Sequence, residues 1–365
     1  MKIEINKEVL LGELVLASKF TSSKLSSSTS LQGVYLKGEK NNIHFYSTNL
    51  NFYYHSTIKA DKVGEFKIVV EPRKISEFLS LLPPGQITFD IKDRSIVLTQ
   101  GKTKGEFPLF SVTDFPLPKN TASDKHKINA EFFKKTLPLL FFSASSDETR
   151  PVLTGINFVS GEEGGQIVTT DGFRLSLVNL KDKLPLNSMI VPAAFLSEVG
   201  RLIASEKEVS FSFQEEERLL VFYLGDRELH TRLIEGDYPP YEKVIPAEKK
   251  TTVVLEREEF LRNVKLVSVF ARDFSNIVIL ETDKGGLKLS PKTGGGDNDV
   301  TYQEAEIKGD DQRVAFNYKF LVDFLTNISS KKVILELLRS DSPAVFKGEK
   351  IDNFLHIIMP VRIQE

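Results

Sequence analysis

Three stretches of this chain repeat one pattern: KIEINKEVLLGELVLASKF at 2–20, KINAEFFKKTLPLLFFSAS at 127–145 and VLEREEFLRNVKLVSVFA at 254–271 each set a short strand before a helical run of apolar residues. Ile5 aligns with Ile128, 123 positions on. A second block recurs as VVEPRKISEFLSLL at 69–82, MIVPAAFLSEVGRLI at 189–203 and VAFNYKFLVDFLTNI at 314–328, where Leu79, Val199 and Phe324 are equivalent at steps of 120 and 125. A third is a strand pair about a polar turn: ITFDIKDRSIVLTQ from 87, VSFSFQEEERLLVFYL from 209 and VILELLRSDSPAVFKG from 333. A period this long exceeds the roughly 20 to 50 residues of a solenoid unit and matches a whole domain instead.

Each repeat therefore reads strand, helix, strands, helix, strands, which predicts an α+β fold of three similar domains in series. In the second block the strand ends in Pro or Asn, residues suited to a helix start, and Ile75, Phe78, Leu79 and Leu82 then recur at helical spacing. The polar segments KNTASDKHK at 119–127 and PAEKKT at 246–251 separate the copies and place the domains at 1–123, 124–248 and 249–365. Pro138 should kink or shorten the helix that contains it.

Composition narrows function mainly by exclusion. The 365 residues contain no cysteine, which removes disulfides, thiolate metal sites and cysteine nucleophiles. The N-terminus lacks the apolar core of a signal peptide and no apolar run reaches the ~18 residues of a membrane span, so a cytoplasmic protein without a membrane segment is expected. A net charge of -2 and a pI near 6.3 give no overall bias towards nucleic acid, so any basic surface must be local. Basic residues do recur on the helices: Lys7, Lys19, Lys24, Arg73, Lys74, Lys134, Lys135, Arg201, Arg262, Lys265 and Lys319. Collected on one surface, they could face the phosphates of duplex DNA, which carry one charge per ~1.7 Å, without reading sequence.

No catalytic or metal constellation emerges. The five histidines lack metal spacing. GGGDND at 294–299 is followed by neither a phosphate-loop lysine nor, at Lys308, the final glutamate of a calcium loop. SASSDETR at 143–150 has no nucleophile elbow. A hydrolase using Asp147, Glu148 or Asp171 as general acid and base is the rival class, and a monomeric peptide-binding adaptor a third. TTDGFRLSL at 169–177 sets Asp-Gly between alternating hydrophobics, a hairpin signal. Its counterpart in the first copy, IHFYSTNLNFYY at 43–54, lacks the Asp-Gly-Phe-Arg set, which leaves room for a function peculiar to the middle copy.

RPVLTGINF at 150–158, TTDGFRLSL, RLIEGDYPPYEKVIP at 232–246, FNYKFLVDFL at 316–325 and HIIMPVRI at 356–363 together resemble the beta subunit, or sliding clamp, family of bacterial DNA polymerase III over essentially the whole chain. The resemblance implies the DNA-clamp fold, with helices lining the inside and antiparallel sheets outside, in a head-to-tail homodimeric ring. That ring encircles double-stranded DNA without sequence preference and confers processivity, with no catalysis and no cofactor or metal of its own. It further implies that the polymerase, the clamp loader and repair proteins dock short hydrophobic peptides in a groove between the second and third domains. Carried over motif by motif, the groove is lined by Leu153, Thr170, Gly172, Phe173, Arg174, Leu175, Pro239, Lys243, Val244, Asn317, Phe320, Pro343, Met359, Pro360, Val361 and Arg362. Phe173 stands where the family most often has His, and Lys243 where Arg is frequent. The DNA-facing positions map to Lys24, Arg73, Arg150 and Arg201, while Ala193 and Ala194 replace residues that are often basic. The dimer seam maps to Phe107 and Leu109 against Val269 and Phe270.

Overall fold

The computed structural model describes residues 1–23, 28–113, 115–118, 124–161, 164–181, 188–203, 208–273, 275–292 and 300–362. Lys24 and the GGGDND stretch lie outside these. Contacts divide the chain into two compact units, Met1–Ala130 with Arg201–Leu233, and Glu131–Gly200 with Ile234–Glu365.

The first unit is built on one sheet of twelve strands. Its first eight strands come from the first repeat and its last four from the second. Strand Phe52–Lys59 of the first repeat pairs antiparallel with Arg227–Arg232 of the second, in the register Arg227 to Ser56 and Thr231 to Phe52. The second unit holds a sheet of nine strands and one of four. Here the joint recurs: Arg174–Leu180 of the second repeat pairs antiparallel with Phe354–Ile358 of the third, Arg174 opposite Ile358 and Val178 opposite Phe354. At both joints the strand that follows the corner of one repeat is laddered to the last strand of the next. Strand Thr301–Glu304 holds the first of these positions in the third repeat and forms an edge, paired among the described strands with Gly286–Pro291 alone.

Within each repeat the expected order of elements is present. Helix Lys7–Ser18 starts where Asn6 Oδ1 accepts the Val9 N–H at 3.0 Å, and helix Tyr318–Asn327 where Asn317 Oδ1 accepts the Lys319 N–H at 3.0 Å. Pro72 supplies the first turn of helix Pro72–Leu81, whose Ile75 and Leu79 are fully buried. Burial of one such aliphatic side chain contributes about 2 kcal/mol. Pro138 acts as expected: the helical run breaks into Ala130–Thr136 and Pro138–Phe141. Helices Lys7–Ser18 and Pro72–Leu81 pack on each other in the first unit, as do Arg257–Ala271 and Tyr318–Asn327 in the second.

Two expectations need correction. Lys7 is not on a solvated helix face; it is 7 % exposed, and its ammonium donates to the Leu82 carbonyl at 3.2 Å because the helix start is tucked beneath the loop after Leu81. The corner at 169–177 is also not peculiar to the middle copy. Thr170 Oγ1 accepts the Gly172 N–H and donates to the Arg174 carbonyl, while Asp171 Oδ1 accepts the N–H groups of Phe173 and Arg174. Thr48 and Asn49 do the same for Leu50, Asn51 and Phe52. Gly172 has φ 94° and Leu50 φ 75°, so the first copy adopts the left-handed conformation without glycine. What the middle copy carries and the first does not is the side chain of Arg174.

Candidate functional site

The site begins at this corner, where the chain leaves strand Gly164–Thr170 and enters Arg174–Leu180. With Thr170 and Asp171 bonded to the backbone, Phe173 is carried outwards at 60 % exposure. Its carbonyl accepts the Met359 N–H at 2.8 Å, which fixes the C-terminal segment beside the corner. Two residues on, the Val361 N–H donates to the Ala315 carbonyl at 2.8 Å. Backbone bonds thus hold the half-buried Met359, Pro360 and Val361 between the corner and the strand that leads into helix Tyr318–Asn327.

Under the corner, Leu175, Val168, Leu177, Val345, Ile357 and Tyr241 form one apolar cluster, with Tyr238 and Ile245 packed against it. The segment Asp237–Pro246 joins the second and third repeats, and its two tyrosines anchor it. Tyr238 Oη accepts the Thr170 N–H at 3.0 Å, and Tyr241 Oη donates to Gln166 Oε1 at 2.5 Å. Burial is the main cause that raises both phenols, Tyr241 to about 12 and Tyr238 further, so both stay protonated hydrogen-bonding groups. Between them Pro239 is exposed, as are Lys243 and Val244 beyond.

Arg174 lies at the centre. Its side chain is 11 % exposed, with Nε 3.0 Å from Asp171 Oδ2 and Nη1 2.6 Å from Asp323 Oδ2. Its Cζ sits 4.6 Å from the centroid of the Phe320 ring and 5.9 Å from that of Phe142. Below it His356 is fully buried, sharing a hydrogen bond with Ser176 Oγ at 2.9 Å and stacked on Phe324. Burial, then the charge of Arg174, holds the imidazole well below its ordinary pKa, so it is neutral.

Of the sixteen groove residues expected from sequence, these contacts unite Thr170, Gly172, Phe173, Arg174, Leu175, Phe320, Met359 and Val361, with Pro360 between the last two. Asn317 is half-buried and caps the helix that carries Phe320. Leu153 is buried in the turn Pro151–Thr154, its carbonyl accepting the Ser145 N–H. Pro343 lines a separate depression with Pro246, Lys249, Glu336 and Lys347, and Arg362 is exposed. Sequence reasoning missed Tyr238, Tyr241, Asp323, Phe142 and His356. The tyrosines flanking Pro239-Pro240 and Asp323 three residues after Phe320 were the available signals.

Elsewhere, Arg73 is exposed on its helix, and Arg150 is exposed and paired with Asp147 at 3.1 Å. Arg201 is exposed in the last turn of helix Ala193–Ile203. Phe107 and Leu109 are half-buried on strand Thr103–Phe110, Phe107 in edge contact with Phe78. Val269 and Phe270 are exposed, at 45 % and 44 %, on helix Arg257–Ala271, which packs beside strand Thr301–Glu304.

Comparison with known proteins gives one consistent result. Models of the N-terminal, central and C-terminal domains of the DNA polymerase III beta subunit match residues 1–119, 127–240 and 242–362, in that order. Beta sliding clamps of Synechocystis sp. and Streptomyces coelicolor are 27 % and 26 % identical, each over 100 % of both chains. The crystal structure of the DNA polymerase III beta subunit of Thermotoga maritima superposes over 100 % of both chains with a TM-score of 0.90 at 24 % identity.

Proposed function

The chain belongs to the DNA polymerase III beta-subunit family, and from that premise we infer its working form: a beta sliding clamp, a processivity factor without catalytic chemistry, serving DNA and the polymerase. Two chains associate head to tail into a closed ring around duplex DNA, helices inward and sheets outward. The observation that supports this is the joint between repeats, which occurs twice in one chain and leaves strand Thr301–Glu304 at a sheet edge and, among the described residues, Thr103–Pro108 laddered on one side alone, the last two residues of its strand pairing with Phe66–Val70. Strand Thr301–Glu304 holds the position of Phe52–Lys59 and Arg174–Leu180, and strand Thr103–Phe110 that of Arg227–Arg232 and Phe354–Ile358. A heterologous contact of this sort closes when the rotation permits, and two chains of three domains, 1–123, 124–248 and 249–365, then make a ring of six. Phe107 and Leu109 of one chain would meet Val269 and Phe270 of the other, apolar side chains flanking the strand pair.

Arg73, Arg150 and Arg201 face the phosphates, each contact weak and without base readout. The corner, Met359–Val361 and Phe320 form the dock for short hydrophobic peptides of the polymerase, clamp loader and repair proteins, whose one or two anchor side chains supply most of the affinity. Asp171 is fully engaged by two N–H groups and Arg174, which supports a structural corner rather than an acid or base. The protein works in the cytoplasm, and among its described residues no helix is long and apolar enough to cross a membrane.

The test is topological. Protein loaded on nicked circular DNA should remain bound through a high-salt wash and run off once the circle is linearised. Equal loss from circle and line would refute the ring.

A further inference from the structure

The corner does not need the guanidinium of Arg174 in order to fold. The first repeat makes the same set of turn hydrogen bonds with Phe52 in the equivalent place. A cation enclosed to this degree loses hydration and persists only with close partners. Asp171 holds one side of it and belongs to the corner itself. Asp323 holds the other and comes from helix Tyr318–Asn327 of the third repeat. Phe320 and Asp323 are three residues apart and share a face of that helix. One presents its ring to the flat of the guanidinium at 4.6 Å, the other binds its edge at 2.6 Å.

We propose that Asp323 is a positioning residue of the peptide dock: by fixing Arg174 it sets the orientation of the Phe320 ring, the wall that an aliphatic or aromatic anchor of the bound peptide meets. This rests on the reading of the corner and C-terminal segment as a peptide dock. A planar, forked cation is required, because only it can lie flat on a ring while its edge bonds two carboxylates; an ammonium cannot do both. Without the Asp323 charge, Arg174 keeps its Asp171 bond and swings off the ring, and Phe320 gains rotamers that a peptide must then freeze.

Fluorescence polarisation with labelled, blocked pentapeptides of leucine, phenylalanine and serine in every order first finds the tightest binder to the full-length protein. Asp323→Asn should weaken that binder about tenfold or more, the size expected for loss of a charged hydrogen bond, with its thermal midpoint near that of the wild type. Asp323→Glu should restore most of the affinity. Arg174→Lys should weaken binding similarly, and adding Asp323→Asn to it should cost little more, since both act through one contact. Asp323→Asn binding as tightly as wild type, or additive losses in the double variant, would overturn the proposal. If the wild type binds none of these peptides, the dock itself fails, and the positioning role with it.

Discussion

His356 shows how a single enclosed side chain sets a response of the entire protein. Held neutral by burial and by Arg174, its imidazole cannot take up a proton that the unfolded chain accepts below about pH 6.5. The unfolded state therefore binds more protons there, so stability is intact above that pH and declines as the pH falls towards about 5. Urea midpoints measured from about pH 7 to about pH 5 should fall for the wild type and fall less for His356→Gln. Glu13 is a second buried charge, accepting from Tyr54 Oη and Ser56 Oγ at 2.7 Å each and paired with Arg227 of the next repeat. Glu13→Gln should cost about 2 kcal/mol in urea denaturation, below the usual range for a buried pair because Arg227 is partly exposed. Neither residue was legible in the sequence, where a lone His or Glu on an apolar face has no distinguishing neighbour. Asp171-Gly172 was legible as a turn because Asx and glycine chemistry is local. The match with Thr48-Asn49-Leu50 was hidden, since Leu50 gives no sign of a positive φ.

Helices and strands were easier to read where period and punctuation agreed. Pro72, Asn317 and Pro138 each marked a helix boundary that the fold respects. Asn317→Ala should remove the cap and destabilise the protein by about 1 kcal/mol in thermal or urea unfolding. The laddering of one repeat to the next could not be read, because strand pairing across some 180 positions leaves no local trace. If that ladder is as firm as those within a repeat, amides of Phe354–Ile358 should exchange with deuterium no faster than those of Ala344–Gly348. Exchange in seconds for the former alone would mark the joint as a weak point.

For the molecule as a whole, the threefold repeat made the fold class and the number of modules legible, while spacing alone did not reveal which strands join them. On the proposed assembly, Val269→Asp places a charge in an apolar seam. Light scattering at micromolar concentration should then report the 41.1 kDa single chain in place of a species twice that mass. An unchanged mass would remove Val269 from the seam. The strand joint that appears twice between repeats carries one more consequence. If the contact between chains is a third copy of it, only covalent continuity distinguishes the inner joints from the outer ones. A circular permutant opened near residue 124, with its old termini tethered, should then part at what is now an inner joint, and any machinery that opens the circle would follow the cut in the gene rather than a special chemistry at one seam.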